Sequence, residues 1–314
     1  EDPTVNRLEG IAATMTGKEA ALFTSSGTMS NLISIMTHCQ RGDEVIVGSE
    51  AHIFFNEVAS ASGVAGVQLR TVPNDRRGMM DPQAVEDAVR SENIHFPKTS
   101  LIAIENTHNR CGGGVLSSED MAAVAYVAGR HEIPVYLDGA RIFNASVALG
   151  VDVKELTRHG DALAFCLSKG LSAPVGSLLC GSRDFIRKAR KNRQMVGGGM
   201  RQAGVLAAAG IIALETMISR LKDDHANAKR LALGLQEVPG LGVEPERVQT
   251  NIVQVRVLQG DAREFAQRIG QAGVKANWMG GDKVRLVTHY GIESKDIDEA
   301  IDIIASVQSK KARR

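Results

Sequence analysis

A single lysine, Lys169, lies in a turn whose flanking residues would permit covalent chemistry. Two short apolar runs, at residues 162–167 and 177–180, enclose a stretch rich in Gly, Ser and Pro, and this pattern predicts a strand, a turn and a strand. Apolar strands disfavour the charged form of a nearby amine, which makes it a better nucleophile toward carbonyl groups. Taken alone, an ordinary surface lysine explains Lys169 better, so a chemical role requires partners elsewhere in the chain.

Four other loops carry groups that could be such partners. They are Ser26-Gly27-Thr28, His52, Glu105-Asn106-Thr107-His108 and Asp138-Gly139-Ala140-Arg141. The first follows a short strand and opens a helix, where N–H groups, the helix dipole and hydroxyls suit a phosphate; an N-cap by Ser26 or Thr28 is an equally good interpretation. A lone loop histidine or a strand-end aspartate also has an ordinary explanation. Their shared position at predicted strand ends is what indicates a binding site.

The elements that hold these loops alternate between strand and helix. Strands are predicted at residues 20–23, 44–47, 67–72, 100–105 and 133–137, and helices near residues 5–16, 29–38, 81–90 and 117–130. Ser117-x-x-Asp120 predicts a capping box at the start of the last of these helices. The alternation predicts an α/β fold, with a mostly parallel sheet between helices and ligands beyond the carboxyl ends of its strands.

The pattern changes in the last third of the chain. Long helical stretches are predicted at about residues 203–218 and then to about 237, followed by strands at 252–257, 274–277 and 283–288 around helices near 261–271 and 294–306. This predicts a small C-terminal α+β domain. We therefore expect a large domain over residues 1–218 and a small domain over residues 219–314.

Composition limits the partners of the protein. Lys and Arg number 37 against 36 Asp and Glu, and the basic block at residues 310–314 is expected to be a solvated chain end rather than a nucleic-acid patch. The four cysteines are dispersed without a CxxC pair, which predicts neither a metal site nor disulfides and favours a reducing compartment. No apolar run approaches transmembrane length and no signal peptide precedes Glu1, so we expect a cytoplasmic protein that binds no membrane.

The order of the candidate groups along the chain suits pyridoxal 5'-phosphate as a cofactor. A lysine can hold its aldehyde, an aromatic ring can stack on its pyridine ring, a carboxylate can keep its pyridine nitrogen protonated, and a small-residue loop can bind its phosphate. The protonated ring would then act as an electron sink. Along the chain, these groups come in the order phosphate loop, aromatic ring, carboxylate and lysine.

The same segments resemble a known family. They are Ser26-Gly27-Thr28, Glu50-Ala51-His52-Ile53, Glu105-Asn106-Thr107-His108-Asn109, Asp138-Gly139-Ala140-Arg141, Leu167-Ser168-Lys169-Gly170-Leu171, Gly197-Gly198-Gly199-Met200-Arg201-Gln202 and Val284-Arg285-Leu286-Val287-Thr288-His289. Together they span most of the chain and resemble the L-threonine aldolases of low-specificity or allo-threonine type. The resemblance implies an aspartate aminotransferase-like fold with a seven-stranded type of sheet. It also implies a homodimer or homotetramer with shared active sites.

The resemblance implies a catalytic role for four residues. Lys169 would form a Schiff base with the cofactor, Asp138 would pair with the pyridine nitrogen, and His52 would stack on the ring. His108 would lie near the substrate hydroxyl and assist its deprotonation, directly or through water. The reaction would be retro-aldol cleavage of L-threonine or L-allo-threonine, both β-hydroxy-α-amino acids, to glycine and acetaldehyde.

Binding roles follow from the same resemblance. The cofactor would be held by Ser26, Gly27, Thr28, His52, Asp138, Arg141, Ser168 and Lys169, with Arg201 reaching its phosphate across a subunit interface. Arg141 and Arg285 would hold the substrate carboxylate. Family members also carry an N-terminal arm with an Arg-Ser-Asp-Thr-like stretch whose serine contacts that carboxylate, and this sequence opens at Glu1-Asp2-Pro3, where they are already some way in.

Two alternatives to an aldolase remain at this point. An aminotransferase or a β-eliminating lyase of the same fold would keep the lysine, the aspartate and the phosphate loop, although the paired His52 and His108 favour the aldolase. A cofactor-binding relative without turnover is the non-enzymatic alternative. The sequence leaves open the preference between threonine and allo-threonine.

Overall fold

The computed structural model describes residues 2–312, with the backbone alone for residues 310–312. The chain divides into two compact units. The first comprises the chain up to Cys111 together with Val115–Ser219, and the second comprises Gly112–Gly114 together with the chain from Arg220 onward. The basic block at residues 310–314 lies outside the described side chains.

One seven-stranded sheet organises the first unit. Its strands are β1 (Ala20–Thr24), β2 (Glu44–Gly48), β3 (Gln68–Val72), β4 (Thr99–Glu105), β5 (Val135–Asp138), β6 (Ala162–Cys166) and β7 (Ser177–Gly181). Their order across the sheet is β1-β7-β6-β5-β4-β2-β3. Strands β3, β2, β4, β5 and β6 run parallel, while β7 is antiparallel to both of its neighbours.

The helices of the first unit connect these strands. They are α1 (Pro3–Thr16), α2 (Gly27–His38), α3 (His52–Phe55), α4 (Pro82–Ala88), α5 (Ser118–Arg130), α6 (Ile142–Leu149), α7 (Val153–Thr157), α8 (Arg183–Met195) and α9 (Gly204–Thr216), with a π-helical turn at Ala61–Ala65. Strands β2, β4, β5, β6 and β7 are buried along their whole length, as expected for the inner strands of a mostly parallel sheet that helices cover on both faces. The predicted capping box is present: Ser117 and Asp120 cap each other's backbone at the start of α5.

Strand register brings the loops of the first unit to one edge of the sheet. Glu105, the last residue of β4, lies opposite Asp138, the last residue of β5. Asp138 in turn lies opposite Ala164 of β6, two residues before that strand ends. Since parallel strands end on the same side, the residues that follow β4, β5 and β6 share one edge of the sheet.

A smaller antiparallel sheet forms the second unit. Its elements are α10 (Leu221–Gln236), β8 (Leu241–Gly242), β9 (Ile252–Val257), α11 (Ala262–Gln271), β10 (Asn277–Trp278), β11 (Lys283–Val287) and α12 (Ser294–Ala312), with a 3-10 turn at Pro245–Arg247. The strand order is β10-β11-β9-β8, and helices α10, α11 and α12 supply apolar side chains such as Leu235, Phe265 and Ile304 to its core. The carbonyl of Gly113 accepts a hydrogen bond from Thr250 Oγ1 at 2.9 Å, which fastens residues 112–114 to this unit.

The predicted α/β architecture with a large, mostly parallel sheet is confirmed. The predicted strand at residues 274–277 is wrong, because Val274 N–H bonds to Ile269 O and closes helix α11, so that only Asn277 and Trp278 pair with β11. Helices α3, α6, α7 and α8 were not predicted. Within the described residues, no single helix is long and apolar enough to cross a membrane; Gly204–Thr216 and Leu221–Gln236 pass that test only when taken together.

Candidate active site

Asp138 is a buried carboxylate at the carboxyl end of β5. The residue is 4% exposed, and both of its oxygens are held by neighbours. Asn31 Nδ2, from α2, donates to Oδ2 at 3.0 Å, and the backbone N–H of Ala140 donates to Oδ1 at 3.2 Å. These bonds fix the plane of the carboxylate, so it is oriented to accept a hydrogen bond from a cationic donor.

His52 begins helix α3 and is linked to Asp138 through two residues, Glu57 and Asn31. His52 Nδ1 lies 2.9 Å from Glu57 Oε1, and Glu57 Oε1 also accepts from Asn31 Nδ2 at 2.7 Å. The hydrogen bond with Glu57 raises the pKa of the His52 imidazole, against the opposing effect of burial, and the charge of Asp138 adds to the increase. Burial raises the pKa of the Glu57 carboxyl. The imidazole and the two carboxylates therefore form one hydrogen-bonded network.

Glu105 connects His52 to the loop that carries His108. Its Oε2 accepts from the backbone N–H of His52 at 2.7 Å, and its Oε1 accepts from the backbone N–H of Asn109 at 2.8 Å. His108 is 1% exposed, and its Nε2 lies 3.7 Å from Glu105 Oε2, beyond hydrogen-bond range. One buried carboxylate thus holds the backbone on both sides of the site and lies beside the ring of His108.

Gly78 lies directly against the ring of His108. A Cβ at this glycine would be 2.4 Å from His108 Cβ and Cγ. The loop that carries Gly78 is held by Asn74, which donates to Gly78 O at 2.8 Å and accepts from Glu50 N at 2.8 Å. The side chain of His108 therefore lies directly against the backbone of Gly78, which limits its rotamers.

The start of helix α2 is the segment that the sequence predicts to bind an anion. Ser26 is the N-cap of the helix, and its Oγ accepts from Met29 N at 3.2 Å. This is the N-cap role that the sequence analysis gave as one interpretation of Ser26. The N–H groups of Gly27 and Thr28, in the first turn, have no acceptor within the helix and remain able to bind an anion. A Cβ at Gly27 would be 2.9 Å from Cys166 Sγ, so this glycine lets the helix start approach the end of β6 closely.

Lys169 lies in the turn between β6 and β7, as predicted, three residues after Cys166. The residue is half-buried, and Ser168 beside it is exposed. Because Gly27 contacts Cys166, the start of α2 and the lysine turn meet at the same edge of the sheet.

The three candidate arginines lie on different elements. Arg141 precedes α6, and its Nη1 lies 3.5 Å from Asn109 Oδ1, in the loop that also carries His108. Arg201 is exposed between α8 and α9, where it lines a cavity of about 500 Å³ with Phe23, Arg193 and Met200. Arg285 lies on β11 of the second unit, and burial lowers the pKa of its guanidinium.

The contacts of the first unit unite part of the predicted set. His52, His108 and Asp138 meet through Glu105, Glu57 and Asn31, and Arg141 meets the same loop. Among the described residues, no contact joins Arg201 to this group. The sequence reasoning missed Glu57 and Asn31 and assigned no role to Glu105. Polar residues on the buried side of α2, Ser30, Asn31 and Ser34, were the available signal for Asn31.

Comparison with solved structures places the fold in a class. The chain superimposes on the threonine aldolase of Leishmania major with a TM-score of 0.83 at 18% identity, covering 98% of this chain and 90% of that one. It also superimposes on the serine palmitoyltransferase of Sphingomonas wittichii. The TM-score is 0.79 at 16% identity, and the match covers 99% of this chain and 78% of that one. The fold is of the aspartate aminotransferase type.

Sequence comparison gives the family. The chain belongs to the beta-eliminating lyase family, whose model matches residues 1–258. It is 44% identical over 302 residues to low-specificity L-threonine aldolase 1 of Arabidopsis thaliana. The alignment covers 94% of this chain and 84% of the relative. The predicted relationship to the L-threonine aldolases is confirmed.

Proposed function

We propose that this protein is a pyridoxal 5'-phosphate-dependent aldolase that cleaves L-threonine and L-allo-threonine to glycine and acetaldehyde. The observation that carries the proposal is the buried carboxylate of Asp138, whose two oxygens are fixed by Asn31 and by the N–H of Ala140. A carboxylate held in this way suits a protonated pyridine nitrogen. The 44% identity to a low-specificity L-threonine aldolase supports the choice of reaction.

The residues of the first unit fit the cofactor. When bound, pyridoxal 5'-phosphate supplies an electron sink for the bond that breaks. Lys169 would hold it covalently through Nζ, Asp138 would bind the pyridine nitrogen, and His52 would cover one face of the ring. The small-residue start of α2, where a Cβ at Gly27 would overlap Cys166, would cradle the phosphate, with Ser26, Thr28 and Ser168 as further donors.

Substrate binding and proton transfer fall to other groups. Arg141 and Arg285 would hold the substrate carboxylate, since a guanidinium binds a carboxylate through two parallel hydrogen bonds. His108 would take the proton of the substrate hydroxyl, and the resulting positive charge would lie near the carboxylate of Glu105, whose Oε2 is 3.7 Å from Nε2. His108 is enclosed against Gly78, so its ring would be held in position before substrate binds.

The test of this proposal is product analysis with the cofactor-loaded protein. We expect L-threonine to yield glycine and acetaldehyde in equal amounts with no keto-acid acceptor added. A requirement for a keto acid would indicate an aminotransferase. Formation of a keto acid and ammonia from L-serine or L-threonine would indicate a β-eliminating lyase. Bound-cofactor absorbance that is unchanged by threonine or glycine would indicate a binding protein without turnover.

We further propose a cytoplasmic homodimer or homotetramer in which Arg201 contacts the phosphate bound to the neighbouring subunit. The exposed position of Arg201 supports this role, and the four free thiols suit a reducing compartment. If it is correct, Lys169→Ala and Arg201→Ala complement each other, because a hybrid dimer has one intact site. Subunit exchange between the two inactive variants should restore about a quarter of the wild-type activity. If the exchanged mixtures recover no activity, Arg201 acts within its own subunit.

A further inference from the structure

Glu57 is a carboxylate that the fold buries completely. Its side chain is 0% exposed, and it lies five residues after His52, just past the end of α3. Removal of a carboxylate from water is costly unless other groups satisfy its charge. The buried Glu44 has two arginine partners, Arg70 and Arg90, as a structural carboxylate usually does. The partners of Glu57 are instead an imidazole and an amide, both in the candidate active site.

The hydrogen bonds around Asn31 extend the influence of Glu57 to Asp138. The hydroxyl of Tyr136 donates to Asn31 Oδ1 at 2.7 Å, which turns the amide nitrogen of Asn31 toward the two carboxylates. Asn31 Nδ2 then donates to Glu57 Oε1 at 2.7 Å and to Asp138 Oδ2 at 3.0 Å. Burial raises the pKa of Tyr136 well above its ordinary value, so its hydroxyl remains a donor.

We propose that Glu57 is a positioning residue that acts directly on His52 and, through Asn31, on Asp138. The inference rests on the proposed function, in which these two residues contact the cofactor ring. By accepting a hydrogen bond from Nδ1–H, Glu57 would select one imidazole tautomer and hold the plane of the ring. Nε2 would then be the nitrogen that gains or loses a proton. This is the task that a buried carboxylate performs for the histidine of a catalytic triad.

The charges around His52 are consistent with this role. Three carboxylates act on its imidazole: Glu57 through the hydrogen bond, and Asp138 and Glu105 through their charges. Each of them raises the pKa of His52, and Glu57 has the largest effect. Loss of the Glu57 charge should therefore lower the pKa of His52 more than loss of any other single side chain.

A metal ion is the other ligand that such a group of side chains could bind. One ligand atom from each of His52, Glu57 and Asp138 lies within 4.8 Å of the others. The amide nitrogen of Asn31, however, already donates to both carboxylates, and a cation in the same space would have to displace it. Hydrogen bonding to Tyr136 opposes that displacement, because the amide cannot rotate without losing its donor.

The first test compares Glu57→Gln with Glu86→Gln in the cofactor-loaded enzyme. Glu86 accepts a similar hydrogen bond from His131, at 2.8 Å, but belongs to α4 and is no part of the site, so its variant is a matched control. We expect Glu57→Gln to lower the pKa of His52, because the hydrogen bond with Glu57 is the largest of the effects that raise it; NMR with 13C-labelled histidine measures the change. We also expect the pH midpoint of the bound-cofactor absorbance to shift. The value of kcat should fall by about tenfold or more, while KM changes little.

The second test uses Tyr136→Phe, which leaves Glu57 and His52 in place and releases only the orientation of Asn31. This variant should shift the pH midpoint of the cofactor absorbance while the pKa of His52 stays at the wild-type value. It also keeps the proposal testable if Glu57→Gln fails to fold, which a melting curve would reveal.

The outcomes separate this proposal from the proposed function. If the wild-type enzyme releases acetaldehyde and folded Glu57→Gln keeps the wild-type kcat, His52 pKa and absorbance midpoint, Glu57 is only structural and the proposal is overturned. If Tyr136→Phe also leaves the absorbance midpoint unchanged, the link to Asp138 is overturned. If the wild type releases no acetaldehyde, the proposed function fails, whereas the NMR and absorbance shifts still report on Glu57.

Discussion

Replacement of Gly78 by alanine tests the claim that backbone holds the ring of His108 in place. Gly78 has φ +101°, a conformation that L-residues rarely adopt, and it is buried between Asn74 and His108. The new Cβ would be 2.4 Å from His108 Cβ and Cγ and 2.6 Å from Cδ2. Two of these atoms belong to the inner part of the side chain, so rotation of the ring cannot relieve the overlap.

The expected magnitude has two parts. Left-handed backbone costs a non-glycine residue about 1–2 kcal/mol. Overpacking of a filled site costs typically about 1–3 kcal/mol, so the free energy of unfolding should fall by roughly 2–5 kcal/mol. At roughly 2 °C per kcal/mol for a chain of this size, the melting temperature should fall by about 4–10 °C. Restoring normal contact distances displaces His108 by about 1 Å, which can reduce kcat by about 100-fold.

The assay is a melting curve together with kcat for threonine cleavage. Gly42→Ala is the matched control: Gly42 has φ +93° and nothing within 4 Å of its added Cβ, so its variant carries the backbone cost alone. We expect Gly78→Ala to melt lower than Gly42→Ala and to lose far more activity. Equal melting temperatures and an unchanged kcat would refute the idea that Gly78 positions His108.

Four further predictions follow from the same structure. Lys169→Ala should abolish turnover and the covalent cofactor band but keep some cofactor, as absorbance and dialysis would show; an unchanged band would place the Schiff base elsewhere. Asp138→Asn should reduce kcat far more than cofactor retention, because a neutral amide cannot hold the pyridinium proton, and a near-normal kcat would contradict this role. His52→Phe should keep measurable cleavage whereas His108→Phe loses much more activity and the acidic limb of its pH–rate profile; the reverse result would exchange their roles. Burial lowers the pKa of His225 to about 4 from 6.5, so between these pH values the unfolded chain binds more protons and stability falls as the pH falls. His225→Gln should therefore weaken the pH dependence of the urea midpoint between pH 7.5 and pH 5, and an identical dependence would show that His225 does not contribute.

Local patterns were sufficient to predict most elements and the loops that carry the site. Alternating apolar runs and helical periodicity depend on neighbours in the chain, so the strands that end at Glu105 and Asp138 and the turn of Lys169 were predictable from the sequence. The Ser117 capping box is equally local. The strand at 274–277 failed because the local pattern could not show that Val274 N–H closes α11 instead.

The contacts between those loops depended on tertiary structure. The strand order β1-β7-β6-β5-β4-β2-β3 is set by packing across the whole sheet, and it alone places α2 beside β5 and β6. Asn31 and Asp138 are separated by 107 residues, yet a 3.0 Å hydrogen bond joins them. Residues 112–114 belong to the second unit although the chain on both sides of them belongs to the first.

The sequence by itself determined which residue types lie at the strand ends, and therefore the kind of chemistry available to the protein. Tertiary structure decided how those residues are held: Glu57 against His52, Glu105 between His52 and His108, and Gly78 against the ring of His108. The physical reason is that hydrogen bonds and van der Waals contacts act over a few ångströms. Only the folded chain brings side chains from distant segments within that range.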